Sequence, residues 1–211
     1  PTTALTADPH TPVVELASHV AVLDYADEES VVQTRFATTA LALLRAHLEA
    51  DGALPPGVRL LTDAAHDAER ALADPLPAAA LAAGQLTFLG TGWTYGLAQE
   101  AALKLREAAQ SWTEAYPAME YRHGPISITG PGRIAWAFGP LPTGLAADVS
   151  AVGGTLVADS QVGSESAALD PMADLVRAQR LAVARAEAAG HDPDRPRNLT
   201  RSVILGGPAS A

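Results

Sequence analysis

The sequence predicts an α/β fold in which a parallel sheet is covered by helices on both faces. Three observations predict it. A short apolar run, Gln85-Leu-Thr-Phe-Leu89, ends in Gly90-Thr-Gly92 and leads into a helical stretch from about Gly96 to Gln110. Strand, glycine turn and helix in that order open a parallel α/β unit. Further apolar runs, Arg133-Ile-Ala-Trp-Ala-Phe138, Gly154-Thr-Leu-Val-Ala158 and Arg201-Ser-Val-Ile-Leu205, lack polar alternation, as strands buried on both faces must. A helical pattern at about Pro171–Ala189 supplies further cover.

The elements before this unit follow in order. Pro1 to Tyr25 is turn-rich, with Asp8-Pro-His-Thr-Pro12 as turn chemistry, and is expected to hold one short helix and one strand, Val20–Asp24. Asp27, Glu28, Glu29 and Ser30 place negative charge where a helix begins, the sign that the helix dipole favours. That helix runs to about Ala50, Pro55-Pro-Gly57 breaks the chain, and a second helix is expected from Thr62 to Leu81. Gly206–Ala211 reads as a tail, and no repeat of solenoid period is present.

Composition narrows the function. The chain has 211 residues, 48% hydrophobic, enough for a sizeable core. A net charge of -10 argues against a nucleic-acid groove, which needs clustered positive charge. With no cysteine, disulfides, thiolate nucleophiles and Cys-bound zinc are excluded. No apolar run approaches the ~18 residues of a membrane span, and residues 1–20 lack a signal-peptide plan, so the expected compartment is the cytoplasm. Lys104 is the only lysine, so any lysine chemistry must use it.

Several residues can carry chemistry. Gly90 and Gly92 precede a helix N-terminus, where backbone N–H groups can bind an anion or a sugar hydroxyl; a tight turn without ligand fits equally well. The next glycine, Gly96, falls one residue late for a dinucleotide fingerprint. Glu100, Lys104 and Glu107, at i, i+4 and i+7, fall on one helix face. They are either a surface ion-pair ladder worth a few tenths of a kcal/mol or a proton-transfer site in which Lys104 steadies charge beside Glu107. His123, in Glu120-Tyr-Arg-His-Gly-Pro125, is either a hydrogen-bonded loop histidine or a proton carrier near neutral pH. Asp192-Pro-Asp-Arg-Pro-Arg-Asn198 is a charged connector, from which Arg197 can reach an anion.

Five segments stand in order and at suitable spacing: Phe88–Gly92, Glu100-Ala-Ala-Leu-Lys-Leu-Arg-Glu107, Glu114-Ala-Tyr116, Glu120–Pro125 and Pro196-Arg-Asn-Leu-Thr-Arg-Ser-Val203. Together they resemble the sugar isomerase (SIS) domain family. The likeness is to the second such domain in the isomerase half of glucosamine-6-phosphate synthase and to two-domain amino-sugar-phosphate deaminases and isomerases. Glu28–Thr39 is similar to the segment that ends the family's first domain, with Gln33 and Arg35 where the usual run has Ser and Lys.

The resemblance implies a Rossmann-like, three-layer fold around a five-stranded parallel sheet. It implies that residues 1–50 are the end of a first SIS domain, 51–83 a linking helical region, 84–205 a complete second domain and 206–211 a tail. It aligns Glu107 with the enolisation base, Lys104 with its helper, Glu100 with a residue of the same site, and His123 with a ring-opening histidine supplied across a homodimer interface. Val31 aligns with a residue whose backbone faces the substrate, and Gln33, Arg197 and Arg201 fall in substrate-binding segments. Arg201 stands where the synthase has a Schiff-base lysine, a role closed to arginine with its pKa above ~12; this points toward the deaminase and isomerase relatives. The family's Ser/Thr-rich phosphate loop is not found in the sequence, which suggests a C-terminal portion of a two-domain protein. The expected partner is a phosphorylated sugar or amino sugar, with no nucleic acid, membrane, metal or redox cofactor. The expected activity is aldose–ketose isomerisation or deamination, the alternative being a sugar-phosphate-binding module without catalysis.

Overall fold

The computed structural model describes residues 1–158 and 168–200. The chain opens with a parallel pair, β1 (Thr3–Thr6) and β2 (His19–Val22), joined through α1 (Val13–Leu16). One strand was expected in this stretch; β1 is the other, a four-residue element too short to show a period. The helix after the acidic segment, α2 (Arg35–Ala50), starts later than that segment suggests. Glu28 nevertheless serves it from outside, its carboxylate accepting from the backbone N–H groups of Thr34 (2.9 Å) and Phe36 (3.1 Å). Donors that a helix start leaves without partners are thereby satisfied. Burial pushes the Glu28 carboxyl up, but the hydrogen bonds around Arg35, Phe36 and Thr34 outweigh it and hold its pKa below the ordinary value.

The single helix expected over Thr62–Leu81 is two, α3 (Leu61–Ala73) and α4 (Ala78–Ala82). Pro75 and Pro77 separate them. A residue before proline is driven out of the helical region, and Asp74 lies at φ −67°, ψ 142°.

The main sheet follows. Its strands are β3 (Gln85–Gly90), β4 (Thr113–Pro117), β5 (Arg133–Phe138) and β6 (Thr155–Ala158), all parallel and in the order β4-β3-β5-β6. The strand expected at Arg201–Leu205, the residue Arg201 and the tail lie outside the described residues. Between strands run α5 (Thr94–Ala109), α6 (Leu145–Ala151) and, after β6, α7 (Pro171–Ala188). Gln110 ends α5 in the left-handed conformation at φ 53°.

One face of the sheet presents Leu86, Phe88, Ile134 and Trp136 to α5 and α7; the other presents Leu89, Ala135 and Ala137 to Tyr121 and to Leu145 and Val149 of α6. Burial on both faces explains why β3 and β5 read as unbroken apolar runs. Helix α3 lies against α7, where the Arg180 guanidinium donates to the carbonyls of Ala71 (2.6 Å) and Asp74 (2.8 Å). Among the described residues no helix is long and apolar enough to cross a membrane.

Candidate active site

Helix α5 sends Leu97, Ala101, Leu105 and Ala108 into the core. That commitment turns Glu100, Lys104 and Glu107 together toward the segment that leads into α2. Lys104 is buried, only 4% exposed. A buried ammonium needs acceptors. Glu107 Oε2 lies 2.7 Å and the Gln33 backbone oxygen 2.8 Å from Nζ, while Glu100 Oε1 is farther, at 3.7 Å. This is no ladder of solvated side chains: the cation is out of water, and both carboxylates are mostly covered.

Glu100 is the least satisfied member. Its Oε1 is buried and accepts no hydrogen bond among the described residues. Burial pushes its pKa up, the Lys104 charge opposes that, and Glu107 and Glu28 add to it; the net shift is upward.

The segment before α2 is held at several points. Val31 N–H donates to the Asp194 carbonyl (3.0 Å), and Gln33 Nε2 donates to the Ser30 carbonyl (2.9 Å). Gln33 therefore meets Lys104 through its backbone, not its side chain. Sequence reading placed Gln33 in a substrate-binding segment, where the usual serine is replaced, and missed the anchoring role of Glu28. The one signal for the latter was the acidic stretch Asp27–Glu29.

The other candidates are not gathered here. Gly90 and Gly92 lie at the N-terminal end of α5, and Lys104 is ten residues into that helix, about 15 Å along its axis at 1.5 Å per residue. A Cβ on Gly90 would stand 2.3 Å from the Thr94 carbonyl oxygen, so this glycine serves the close approach of α5 to β3. Gly92 adopts φ +58° in the turn between them. His123 is exposed in a 3-10 turn, Glu120–His123, beyond the C-terminal end of β4. Within one chain it lies toward the end of the sheet opposite to Lys104. Arg197 is exposed on the loop whose Asp194 meets Val31.

Space near the three α5 residues is uneven. Beside Lys104, Thr34 and Asp194 there is a hollow of about 80 Å³, room for a few waters. A cleft of about 270 Å³ lies between α2 and α5, with Glu100 in its wall. A larger cavity, about 650 Å³, opens elsewhere, at the C-terminal ends of β3 and β5, near Thr91, Trp93, Gly139 and Asp170. It contains none of Glu100, Lys104 and Glu107, and its Arg59 is already bound to Asp67 and the Ala168 carbonyl. Size alone therefore does not make it the reaction centre. Among the described residues no group of three His, Asp or Glu side chains is arranged to hold a metal ion.

No family model matches the chain. A glutamine–fructose-6-phosphate aminotransferase (isomerizing) of Aeropyrum pernix is 37% identical over 145 residues, 58% of this chain and 23% of the relative. The chain thus spans about a quarter of the length of the curated relatives it matches. A glucosamine-6-phosphate deaminase of Thermotoga maritima superposes with a TM-score of 0.78 at 21% identity, over 97% of this chain and 67% of that one. The C-terminal domain of a glucosamine-fructose-6-phosphate aminotransferase from Francisella tularensis gives 0.66 at 24% identity, over 92% and 65%. The resemblance carried by the five motifs is thus borne out, for the chain is similar in sequence to glutamine–fructose-6-phosphate aminotransferases and has the parallel α/β fold of solved SIS-type sugar-phosphate proteins.

Proposed function

We propose that this chain carries the proton-transfer part of a sugar-phosphate isomerase or amino-sugar-phosphate deaminase. The observation that supports it is the buried Lys104 with Nζ 2.7 Å from Glu107 and 3.7 Å from Glu100. Glu107 takes the proton from the carbon next to the carbonyl of the open-chain sugar. Lys104, fixed by the Gln33 carbonyl, stabilises the oxygen that becomes negative as the enediolate forms. Glu107, now protonated, returns its proton to the neighbouring carbon while the hydroxyl proton passes from the second oxygen to the first, which completes an aldose–ketose conversion. With a 2-amino substrate the resulting imine adds water and releases ammonia. His123, distant from this pair within one chain, opens the sugar ring from a second copy. The phosphate is held by other parts of the protein.

The experiment is Glu107→Gln in the full-length protein, assayed with glucosamine 6-phosphate and fructose 6-phosphate. Loss of a positioned base lowers turnover by about 10²–10⁴-fold, and unchanged turnover would overturn the assignment. The narrow hollow beside Lys104 favours one other reading, a sugar-phosphate-binding module without turnover. In that case wild type and variant bind alike and neither forms product.

A further inference from the structure

We propose that Glu28 is a positioning residue for the proton transfer. Through the peptide unit that joins Gln33 to Thr34, it sets the direction in which Lys104 offers a hydrogen bond to the developing enediolate oxygen. The inference rests on the isomerase or deaminase reading above and adds to it a residue that acts only through another.

Glu28 and Lys104 grip opposite ends of one peptide group. The Thr34 N–H donates to Glu28 Oε2 (2.9 Å), and the Gln33 carbonyl oxygen of the same unit accepts from Lys104 Nζ (2.8 Å). The unit is planar and trans, so its N–H and C=O point in opposite directions and turn together. Holding the N–H therefore aims the carbonyl. Two further bonds fix the grip: Glu28 Oε2 also accepts from the Phe36 N–H (3.1 Å), and Oε1 accepts from the Thr34 hydroxyl (2.9 Å). The nearby bonds from Val31 N–H to the Asp194 carbonyl and from Gln33 Nε2 to the Ser30 carbonyl engage neither end of this peptide. A carboxylate on the N–H also polarises the group and makes its carbonyl a stronger acceptor. Glu28 is ionised in neutral solution, its pKa being held below the ordinary value by these bonds.

The consequence falls on Lys104. An ammonium has three N–H donors. Glu107 takes one (2.7 Å) and the Gln33 carbonyl a second, which fixes the direction of the third. Glu100 Oε1, at 3.7 Å, lies beyond hydrogen-bond distance of Nζ. The third donor is thus left for a substrate oxygen, already aimed before charge develops there. Donors aimed in advance are what such stabilisation requires. With the carbonyl released, the ammonium is free to turn between its two carboxylate neighbours and the aim is lost.

The test compares Glu28→Gln with Glu28→Asp in the full-length protein, by kcat and KM for glucosamine 6-phosphate and fructose 6-phosphate. Glu28→Gln keeps the reach, since its amide oxygen can accept both N–H groups, and drops the charge. Glu28→Asp keeps the charge and is one carbon too short. Positioning by hydrogen bonds predicts kcat within about threefold of wild type for Gln and about tenfold to a hundredfold lower for Asp. KM stays nearly constant in both, because the interaction lost is one made in the transition state. A merely structural role lowers the melting temperature of Glu28→Asp and leaves kcat of the folded protein unchanged. Wild-type kcat in Glu28→Asp, or Glu28→Gln as slow as Glu28→Asp, overturns the positioning role. The isomerase reading then still stands if the wild type turns over and Glu107→Gln does not. No turnover of either sugar by the wild type overturns both. Should Glu28→Asp not fold, Thr34→Val replaces it, because it removes the hydroxyl bond to Oε1 and keeps the N–H. Its kcat is expected to fall about threefold at constant KM, and an unchanged kcat overturns the proposal.

Discussion

At the residue scale, Glu100 and Glu107 share one cation and differ in consequence. Glu107 has Lys104 at 2.7 Å, whereas Glu100 is buried with a distant partner and a raised pKa. The unfolded chain ionises Glu100 near its ordinary 4.5. Between that pH and the higher folded value the unfolded state has lost a proton that the folded state keeps, so stability falls as pH rises through this window. Glu100→Gln removes the penalty. It is expected to raise the melting temperature at pH 7 by a few degrees, about 1 kcal/mol for a chain of this size, and to change nothing near pH 4. Glu107→Gln, which takes a close acceptor from Lys104, is expected to lower the melting temperature at pH 7. Calorimetric scans at the two pH values check both signs. None of this asymmetry was legible in the i, i+4, i+7 spacing, which put the three side chains on one face and by itself favoured a surface ladder over a site. Burial of Lys104 depends on Gln33, 71 positions away in sequence, and no helical period reports such a neighbour.

At the scale of elements, the strand–turn–helix unit was the most legible feature because glycine, strand and helix agree there. Elsewhere the expected boundaries held for β5 at Arg133–Phe138, and α7 came within a residue at its end. What escaped was short or polar: β4, an edge strand reading Thr-Glu-Ala-Tyr-Pro, and α6, seven residues long. Edge strands tolerate proline and polar side chains, so the apolar signature weakens where pairing is one-sided. Gly90 tests whether the glycine turn is structural. A methyl group there meets the backbone of Thr94 and Tyr95 at 2.3–2.5 Å, and backbone cannot swing aside. Gly90→Ala is expected to cost about 1–3 kcal/mol by urea denaturation. Gly84→Ala, one residue before the same strand and with nothing within 4 Å of the added carbon, is the control. It is expected to be neutral or slightly stabilising. Equal losses for the two would mean that α5 does not depend on that close approach.

At the scale of the molecule, the N-terminal helices are joined to α7 by buried charge, and sequence could not disclose it, since the partners are 125 positions apart. Arg45, the one buried residue of α2, sets its guanidinium against both Asp170 oxygens at 2.8 and 2.7 Å. Asp170 also caps α7 by accepting from Met172 N–H, and its own N–H donates to Asp67 (2.7 Å) on α3, which binds Arg59 and Arg70 as well. Burial pushes the Asp67 carboxyl up, but the Asp170 N–H and the two arginines outweigh it and lower its pKa below 3.8. Its contribution is therefore present above that pH and is lost as pH falls through the folded value. The joint itself is tested by a double-mutant cycle. Arg45→Met leaves Asp170 without its cation; Asp170→Asn keeps the cap to Met172 but leaves Arg45 charged and uncompensated. Each single change is expected to cost about 3–5 kcal/mol, because one buried charge remains. Joining both changes removes that remaining charge, so the pair is expected to fall short of the sum of the singles by more than about 1 kcal/mol in urea denaturation. Additive losses would mean that the two charges act independently. The contact of α3 with α7 has its own apolar seam, Ala71 with Leu169 and Ala173, and the Arg180 bonds, so the cycle reads the joint to α2 alone.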